Sequence, residues 1–289
     1  MDFLQPGSLG EALEMKASIP VATPLAGGTD LMVELNFDRR RPEAIIDLTR
    51  VPELREWSRD DGWVTFGAGV SYTRLIAELG DPLPGLAIAA RTIGSPQIRN
   101  RGTVGGNLGT TSPAGDALPP LLAAGAEVGV ASVRGTRSIS LERFPTGVKR
   151  NALEPDELIV SVRVRAARGP QQFSKIGTRN AMVIAVATFA LALDPQSQTV
   201  GTGVGSAGPV TFRAAEAERF LEGVLTEGNL WESRADIGPS ARSRFSVLVA
   251  AAASPIDDVR GTAAYRRHAL EVMARRTLAW AWDEYRKSA

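Results

Sequence analysis

The chain has 289 residues, of which 44% are hydrophobic and none is cysteine. That length and apolar content suit a large buried core, and two packed units more readily than one. A net charge of +1 with interspersed acids and bases excludes the clustered cationic face of a nucleic-acid binder, and the lack of cysteine excludes disulfides, thiolate zinc sites and iron–sulfur clusters ligated by this chain.

The first residues, Met1-Asp-Phe-Leu-Gln-Pro6, have no basic run leading into an apolar core, so no signal peptide is expected. Leu9 to Ser18 reads as a helix, with Ser8 as N-cap and Glu11 at capping-box spacing. Val21 to Ala26 reads as a strand entering Gly27-Gly28-Thr29-Asp30, and Leu31-Met-Val-Glu-Leu35 begins a helix. This strand, glycine pair and Thr/Asp cap is either a plain strand-to-helix turn or an anion cradle whose N–H groups face a ligand. Arg39-Arg40-Arg41 is expected in a solvated loop. Ala44 to Leu48 and Trp63 to Val70 are strands, and Gly67 and Gly69 in the second imply a close backbone neighbour. Ser71 to Leu79 and Leu86 to Thr92 read as helices.

Arg99 to Asp116 is dense in glycine, with Thr103, Asn107, Thr110, Thr111 and Ser112 interleaved. Glycine lets backbone approach a ligand closely. The stretch is either a turn-rich surface loop or a phosphate-binding loop, with Arg99 and Arg101 as candidate counter-charges. Asp116 is placed to cap a helix carrying Pro119 and Pro120 in its first turn. Ala126 to Ser132 and Arg137 to Leu141 form a hairpin across Arg134-Gly135. Leu158 to Arg165 alternates in its second half as a half-buried strand does.

A boundary is expected near Arg168-Gly-Pro170. Beyond it, Gln171 to Ile176, Met182 to Leu193 and Thr199 to Val204 are strand candidates. Arg213 to Leu221, Ser243 to Ala253 and a closing helix from about Ala264 to Tyr285 follow, the last with Ala269, Val272, Met273 and Trp280 on one face. Strands followed by helices make an α+β unit. The longest apolar run, Met182 to Leu193, is well short of the ~20 residues that span a bilayer, so a soluble, cytoplasmic protein with no membrane span is expected.

Gly203-Val-Gly205-Ser-Ala-Gly208 matches the dinucleotide fingerprint, but Pro209-Val-Thr211 intervenes before the next helix and no second strand follows. No Walker A sequence is present. His268, the single histidine, sits amid an amphipathic helix beside Arg266 and Arg267 and reads as a surface residue. With no acid–base pair evident, the binding apparatus suits a cofactor that brings its own chemistry.

Ala26-Gly-Gly-Thr-Asp-Leu31, Gly94-Ser-Pro-Gln-Ile-Arg-Asn-Arg-Gly-Thr-Val-Gly-Gly-Asn107 and Ser112-Pro-Ala-Gly-Asp116, in that order and spacing, resemble the FAD-binding medium subunit of molybdenum hydroxylases, the xanthine dehydrogenase and carbon monoxide dehydrogenase family. Lys175 with Arg179, and Asp258 to Arg267, resemble the family's C-terminal domain. The resemblance implies an α+β fold: an FAD-binding domain of the vanillyl-alcohol-oxidase/p-cresol-methylhydroxylase type in two α+β subdomains, 1–60 and 61–169, then a C-terminal α+β domain, 170–289.

The resemblance also implies roles. Leu25, Ala26, Gly27, Gly28, Thr29, Asp30 and Leu31 would wrap the FAD pyrophosphate from one side, and Thr103, Gly106 and Asn107 would meet it from the other. Asp116 would accept from sugar or ribityl hydroxyls, Ile93 would lie over the isoalloxazine ring, Ile159 would give a backbone contact to the adenine end or ring system, and Lys175 would lie near the pyrimidine edge. Val183 stands where many relatives carry an acid. With His268 far from these loops, the FAD is expected to be non-covalent. Molybdopterin would sit in a large partner subunit and two [2Fe-2S] clusters in a small one, the whole a dimer of heterotrimers. FAD here would collect their electrons for NAD+ or another acceptor, with a flavour closer to the purine-oxidising branch. The alternatives are a stand-alone FAD-dependent reductase on the same fold, for which no proton donor is evident, and an adaptor that has lost FAD, which intact loops disfavour.

Overall fold

The computed structural model describes residues 1–288. Its first lobe is a small parallel sheet of β1 (Asp2–Leu4), β2 (Thr23–Leu25) and β3 (Ala44–Asp47), in the order β1-β3-β2. The central strand β3 is buried at all four positions, the pattern of a parallel strand covered on both faces. Helix α1 (Leu9–Ser18) begins where the sequence predicts, with the Ser8 hydroxyl accepting from Glu11 N–H at 3.2 Å. Such a cap contributes about 1 kcal/mol. Helix α2 (Leu31–Asn36) follows the first glycine turn.

The second lobe is built on an antiparallel sheet in the order β4-β5-β10-β6-β7. Its strands are β4 (Trp57–Asp60), β5 (Trp63–Gly67), β6 (Glu127–Ser132), β7 (Gly135–Ser140) and β10 (Leu158–Arg165), with a small hairpin of β8 (Pro145–Gly147) and β9 (Arg150–Asn151) beside them. Val162 and Val164 of β10 enter the core while Arg163 and Arg165 point outward and stack on Trp63. The inner face packs on α3 (Tyr72–Glu78), α4 (Pro84–Arg91), α6 (Val104–Thr110) and α7 (Leu118–Ala123), through Leu75, Leu86, Val104, Leu108 and Leu118, while α5 (Pro96–Arg101) buries no residue and lies against α3. The glycines ending β5 have the close neighbour the sequence implies: a methyl on Gly67 would stand 2.2 Å from the Leu54 carbonyl oxygen.

The third lobe is the antiparallel sheet β11 (Gln171–Ile176), β12 (Ala187–Asp194), β13 (Thr199–Gly205), covered by α8 (Ala215–Glu227), α9 (Leu230–Ser233), α10 (Pro239–Ala251) and α11 (Ala263–Lys287). Its other face receives α4 and α7, so α7 lies between two sheets. This explains the glycines of the failed dinucleotide match. A methyl on Gly203 would stand 2.0 Å from the Pro119 carbonyl oxygen, and one on Gly201 1.9 Å from that of Ala123. They are bare strand surface on which α7 lies.

Four expectations need correction. The stretch from Arg99 is mostly helical, because Ser95 and Thr103 each cap a short helix and Pro96 sits in the first turn of one. The strand expected from Met182 begins only at Ala187, Met182 itself taking a left-handed conformation at φ 50°. Trp280 is 50% exposed, and it is Trp282 that enters the core of α11. Asp116 caps nothing, since Ala117 holds that position without a side-chain bond and Asp116 is drawn instead to Lys175. Among the described residues no helix is long and apolar enough to cross a membrane.

Candidate functional site

The two glycine-bearing turns meet. A methyl on Gly27 would stand 2.0 Å from the Arg101 carbonyl oxygen and 2.9 Å from Gly102 Cα, so only glycine permits this approach. Asp30, at the N-cap of α2, makes no capping bond; its Oδ2 accepts from the Thr110 hydroxyl at 2.9 Å, tying α2 to the end of α6. Gly28 holds the turn at φ +75°, a conformation glycine adopts at little cost.

The second turn is anchored to the sheet beneath it. Gly105 N–H donates to the Ala68 carbonyl at 3.1 Å, and a methyl there would stand 2.5 Å from Ala68 Cβ. The Thr103 hydroxyl accepts from Gly106 N–H at 3.0 Å, and the Thr103 carbonyl from Asn107 N–H at 3.1 Å. These donors are therefore used within α6. The first turn differs: among the described residues, none accepts from the N–H groups of Gly27, Gly28, Thr29 or Asp30. Gly27, Gly28 and Thr29 are partly buried and Asp30 is exposed, and donors withdrawn from water ordinarily find a partner.

A cavity of about 910 Å³ opens at this junction. It is at the large end of the range of roughly 300–1,000 Å³ for cofactor sites. Of the residues singled out from sequence, Ala26, Gly27, Asp30, Leu31, Thr103, Gly106 and Ile159 line it. Leu25, Gly28 and Thr29 belong to the same turn but do not line the cavity. The remaining four form a second group. Lys175 Nζ, from β11 of the third lobe, is 2.5 Å from Asp116 Oδ2 and 3.3 Å from the Thr92 carbonyl, next to Ile93. Asn107 Oδ1 is buried and lies 2.8 Å from where a Gly115 methyl would stand.

Burial pushes the Asp116 carboxyl up to about 6, against the opposing pull of Lys175. Its Oδ1 has no partner within the protein, nor does Asn107 Oδ1. Both oxygens are sealed from solvent, and neither residue lines the cavity. Arg99, a candidate counter-charge, instead donates to the carbonyls of Arg91, Ile93 and Gly94. Arg101 lines the cavity and has no ion-pair partner among the described residues.

Sequence reasoning missed several lining residues. Arg40 is one: its Nη2 donates to Thr23 Oγ1 at 3.0 Å across the cavity wall, while Arg41 fits the solvated loop expected of both. Lys149 is another, 2.9 Å from Glu34 and holding it below the usual carboxylate range. Nothing in the local sequence marks either, because each reaches the cavity only through a partner distant in the chain. Ala68 to Ser71 follow the glycine-rich end of β5, and that signal was present.

A cradle of unengaged N–H groups, glycine-only contacts and a large cavity fit a dinucleotide with a diphosphate. Residues 1–165 match the family model described as the FAD binding domain in molybdopterin dehydrogenase, and residues 172–281 that of the CO dehydrogenase flavoprotein C-terminal domain. The chain is 33% identical to the nicotinate dehydrogenase FAD-subunit of Eubacterium barkeri over 267 residues, 86% of this chain and 90% of that one. It is 28% identical to the putative xanthine dehydrogenase FAD-binding subunit of Escherichia coli over 285 residues, covering 94% and 92%. A carbon monoxide dehydrogenase structure from Hydrogenophaga pseudoflava superposes with a TM-score of 0.89 at 29% identity, covering 99% of this chain and 98% of that one.

Proposed function

The chain belongs to the FAD-binding subunits of the molybdenum hydroxylases, and from that premise we propose that it relays electrons from partner-borne [2Fe-2S] clusters to NAD+ or another soluble acceptor. FAD supplies a redox centre that holds two electrons and exchanges them singly or in pairs. The protein's part is to bind, orient and shield it.

The observation that carries the reading is the run of unengaged N–H groups from Gly27 to Asp30, in a turn whose Ala26, Gly27, Asp30 and Leu31 line the cavity together with Thr103 and Gly106 of the second turn. In this reading Leu25 to Leu31 wrap the diphosphate, Arg101 supplies counter-charge, and Thr103 and Gly106 close the second side. Oriented backbone donors suit a diphosphate because they cost no side-chain entropy. Ile159 gives a backbone contact to the adenine end or the ring system. Asn107 meets the diphosphate with Thr103 and Gly106, and Ile93, Asp116 and Lys175 serve the flavin and ribityl end, where the third lobe meets the second. The chain divides functionally into 1–60, 61–169 and 170–289. Because it has no cysteine, the clusters belong to a small partner subunit, and molybdopterin to a large one, with a dimer of heterotrimers as the working assembly.

The test is purification from the native host with flavin, molybdenum and iron analysis. The reading expects one FAD per chain, released by acid or heat without proteolysis, co-migrating with molybdenum and iron. A flavin-bearing chain that purifies alone and reduces a substrate would favour a stand-alone reductase. A chain that stays colourless in excess FAD would overturn both.

A further inference from the structure

Helix α2 carries a carboxylate along the cavity. Glu34 stands four residues beyond Asp30, so the two side chains leave neighbouring positions on one face of the helix. Both line the cavity, with Leu31 between them. Four residues of helix rise about 6 Å, so Glu34 is set roughly that far along the wall from the turn with unengaged N–H groups. Its side chain is 26% exposed, which leaves its oxygens open to a ligand.

The neighbours fix this carboxylate and leave it half used. Lys149 Nζ donates to Oε1 at 2.9 Å. Lys149 is itself held, at φ 53° in the turn between β8 and β9, with its N–H donating to the Thr111 carbonyl at 3.3 Å. Asn151 of β9 donates to the Gly109 carbonyl at 3.1 Å and ties the same hairpin to the end of α6. On the other side Arg40 Nη1 stands 3.8 Å from Oε2, an ion pair too long for a hydrogen bond, while Nη2 is engaged by Thr23. The Lys149 hydrogen bond, with Arg40 and Arg39 nearby, holds the carboxyl ionised. Among the described residues no donor reaches Oε2. An ionised carboxylate only accepts, and on both oxygens. Glu34 therefore offers the cavity a fixed acceptor, which suits a ligand group that donates and repels a phosphate.

We propose that the Glu34 carboxylate accepts hydrogen bonds from the 2′- and 3′-hydroxyls of the adenosine ribose of FAD, with Lys149 and Arg40 holding it in place. This rests on the FAD reading above. In that reading the flavin end lies at Ile93, Asp116 and Lys175, none of which lines this cavity, so the sugar beside the diphosphate here is the ribose. The two ribose hydroxyls are cis and present their protons on one side, where a single carboxylate can take both. Dinucleotide sites of another fold recognise ribose by the same chemistry. There the acid closes a strand, whereas here it lies one turn along the helix that follows the anion cradle.

The experiment titrates full-length apoprotein, by flavin fluorescence, with FAD and with the FAD analogue built on 2′,3′-dideoxyadenosine, in wild type, Glu34→Ala and Lys149→Met. Wild type is expected to bind the analogue about tenfold more weakly than FAD, the effect of losing hydrogen bonds to a charged acceptor. Glu34→Ala should bind the two alike. Lys149→Met keeps the acceptor and should keep the preference for FAD, whatever its overall affinity. The ratio isolates the ribose contact, because a purely structural role for Glu34, or a contact with the ribityl chain, would weaken both ligands equally. Should Glu34→Ala fail to fold, Glu34→Gln takes its place, and its ratio should fall below that of wild type. Equal binding of FAD and analogue by wild type would overturn the assignment, as would a ratio unchanged by the loss of the carboxylate. A wild-type chain that takes up no FAD would instead overturn the flavin reading itself.

Discussion

Gly27 lies against the backbone of Arg101, so closely that a methyl group would stand 2.0 Å from the carbonyl oxygen. Residues seventy-four positions apart in the chain thus share one wall of the cavity. The contact is backbone to backbone, and no rotamer change can relieve it. Gly27→Ala must push the two turns apart. We expect at least ~100-fold weaker FAD binding, about 2.7 kcal/mol, with a fold loss of about 1–3 kcal/mol. Gly223→Ala, where an added methyl meets nothing within 4 Å, should leave FAD binding unchanged. Flavin titration and thermal unfolding of both variants check this.

Asp30 and Thr110 join the same two turns through side chains at 2.9 Å. Because the bond is exposed, its net worth is modest. A double-mutant cycle with Asp30→Ala and Thr110→Val should give a coupling of about 1 kcal/mol in the stability of the apoprotein. A coupling near zero would mean the turns are held by the Gly27 contact alone.

Asp116 titrates in the folded chain at about 6, against 3.8 in the open chain, with burial as the main cause. The folded state therefore binds this proton more readily than the unfolded state. Its stabilising contribution is complete below about pH 4 and is lost as pH rises through about 6. A gap of roughly two units corresponds to about 3 kcal/mol. Relative to the double variant Asp116→Asn/Lys175→Met, wild-type apoprotein should lose about that much stability between about pH 4 and pH 7. Denaturant unfolding at several pH values measures it, and a difference that stays flat would contradict the burial of this carboxyl.

Gly203 looks like part of a nucleotide fingerprint and serves packing instead. Gly203→Ala would drive a methyl into the Pro119 carbonyl and lift α7 from β13. The expected outcome is a loss of about 2–4 kcal/mol in stability, read by denaturant unfolding, while the surviving folded fraction keeps its FAD affinity. Loss of FAD binding without loss of stability would revive the fingerprint.

Much of this was legible in the chain itself. Ser8 and Ser71 announce helix starts through a hydroxyl that reaches only three residues ahead. Val162 to Arg165 alternate because a strand with one wet face must. The glycine turns at Gly27 and Gly106 left a plain turn and an anion cradle both open, and it was the resemblance of three loops in order to a known family that supplied the FAD and the iron–sulfur partner, which the lack of cysteine puts on another chain. These are local facts, set by propensity, periodicity and composition, and they survive any arrangement of the lobes.

What the sequence could not hold is which distant groups meet. Arg40 reaches the cavity through Thr23, Asp116 leaves its helix for Lys175 on another sheet, and Gly203 is bare for the sake of Pro119. Trp280 and Trp282 trade places because the face of a 25-residue helix is chosen by what packs on it, two residues of phase being beyond local reading. Pattern along a chain fixes the elements, since it acts over a few residues. The free energy of packing acts between surfaces and is decided only when those surfaces touch.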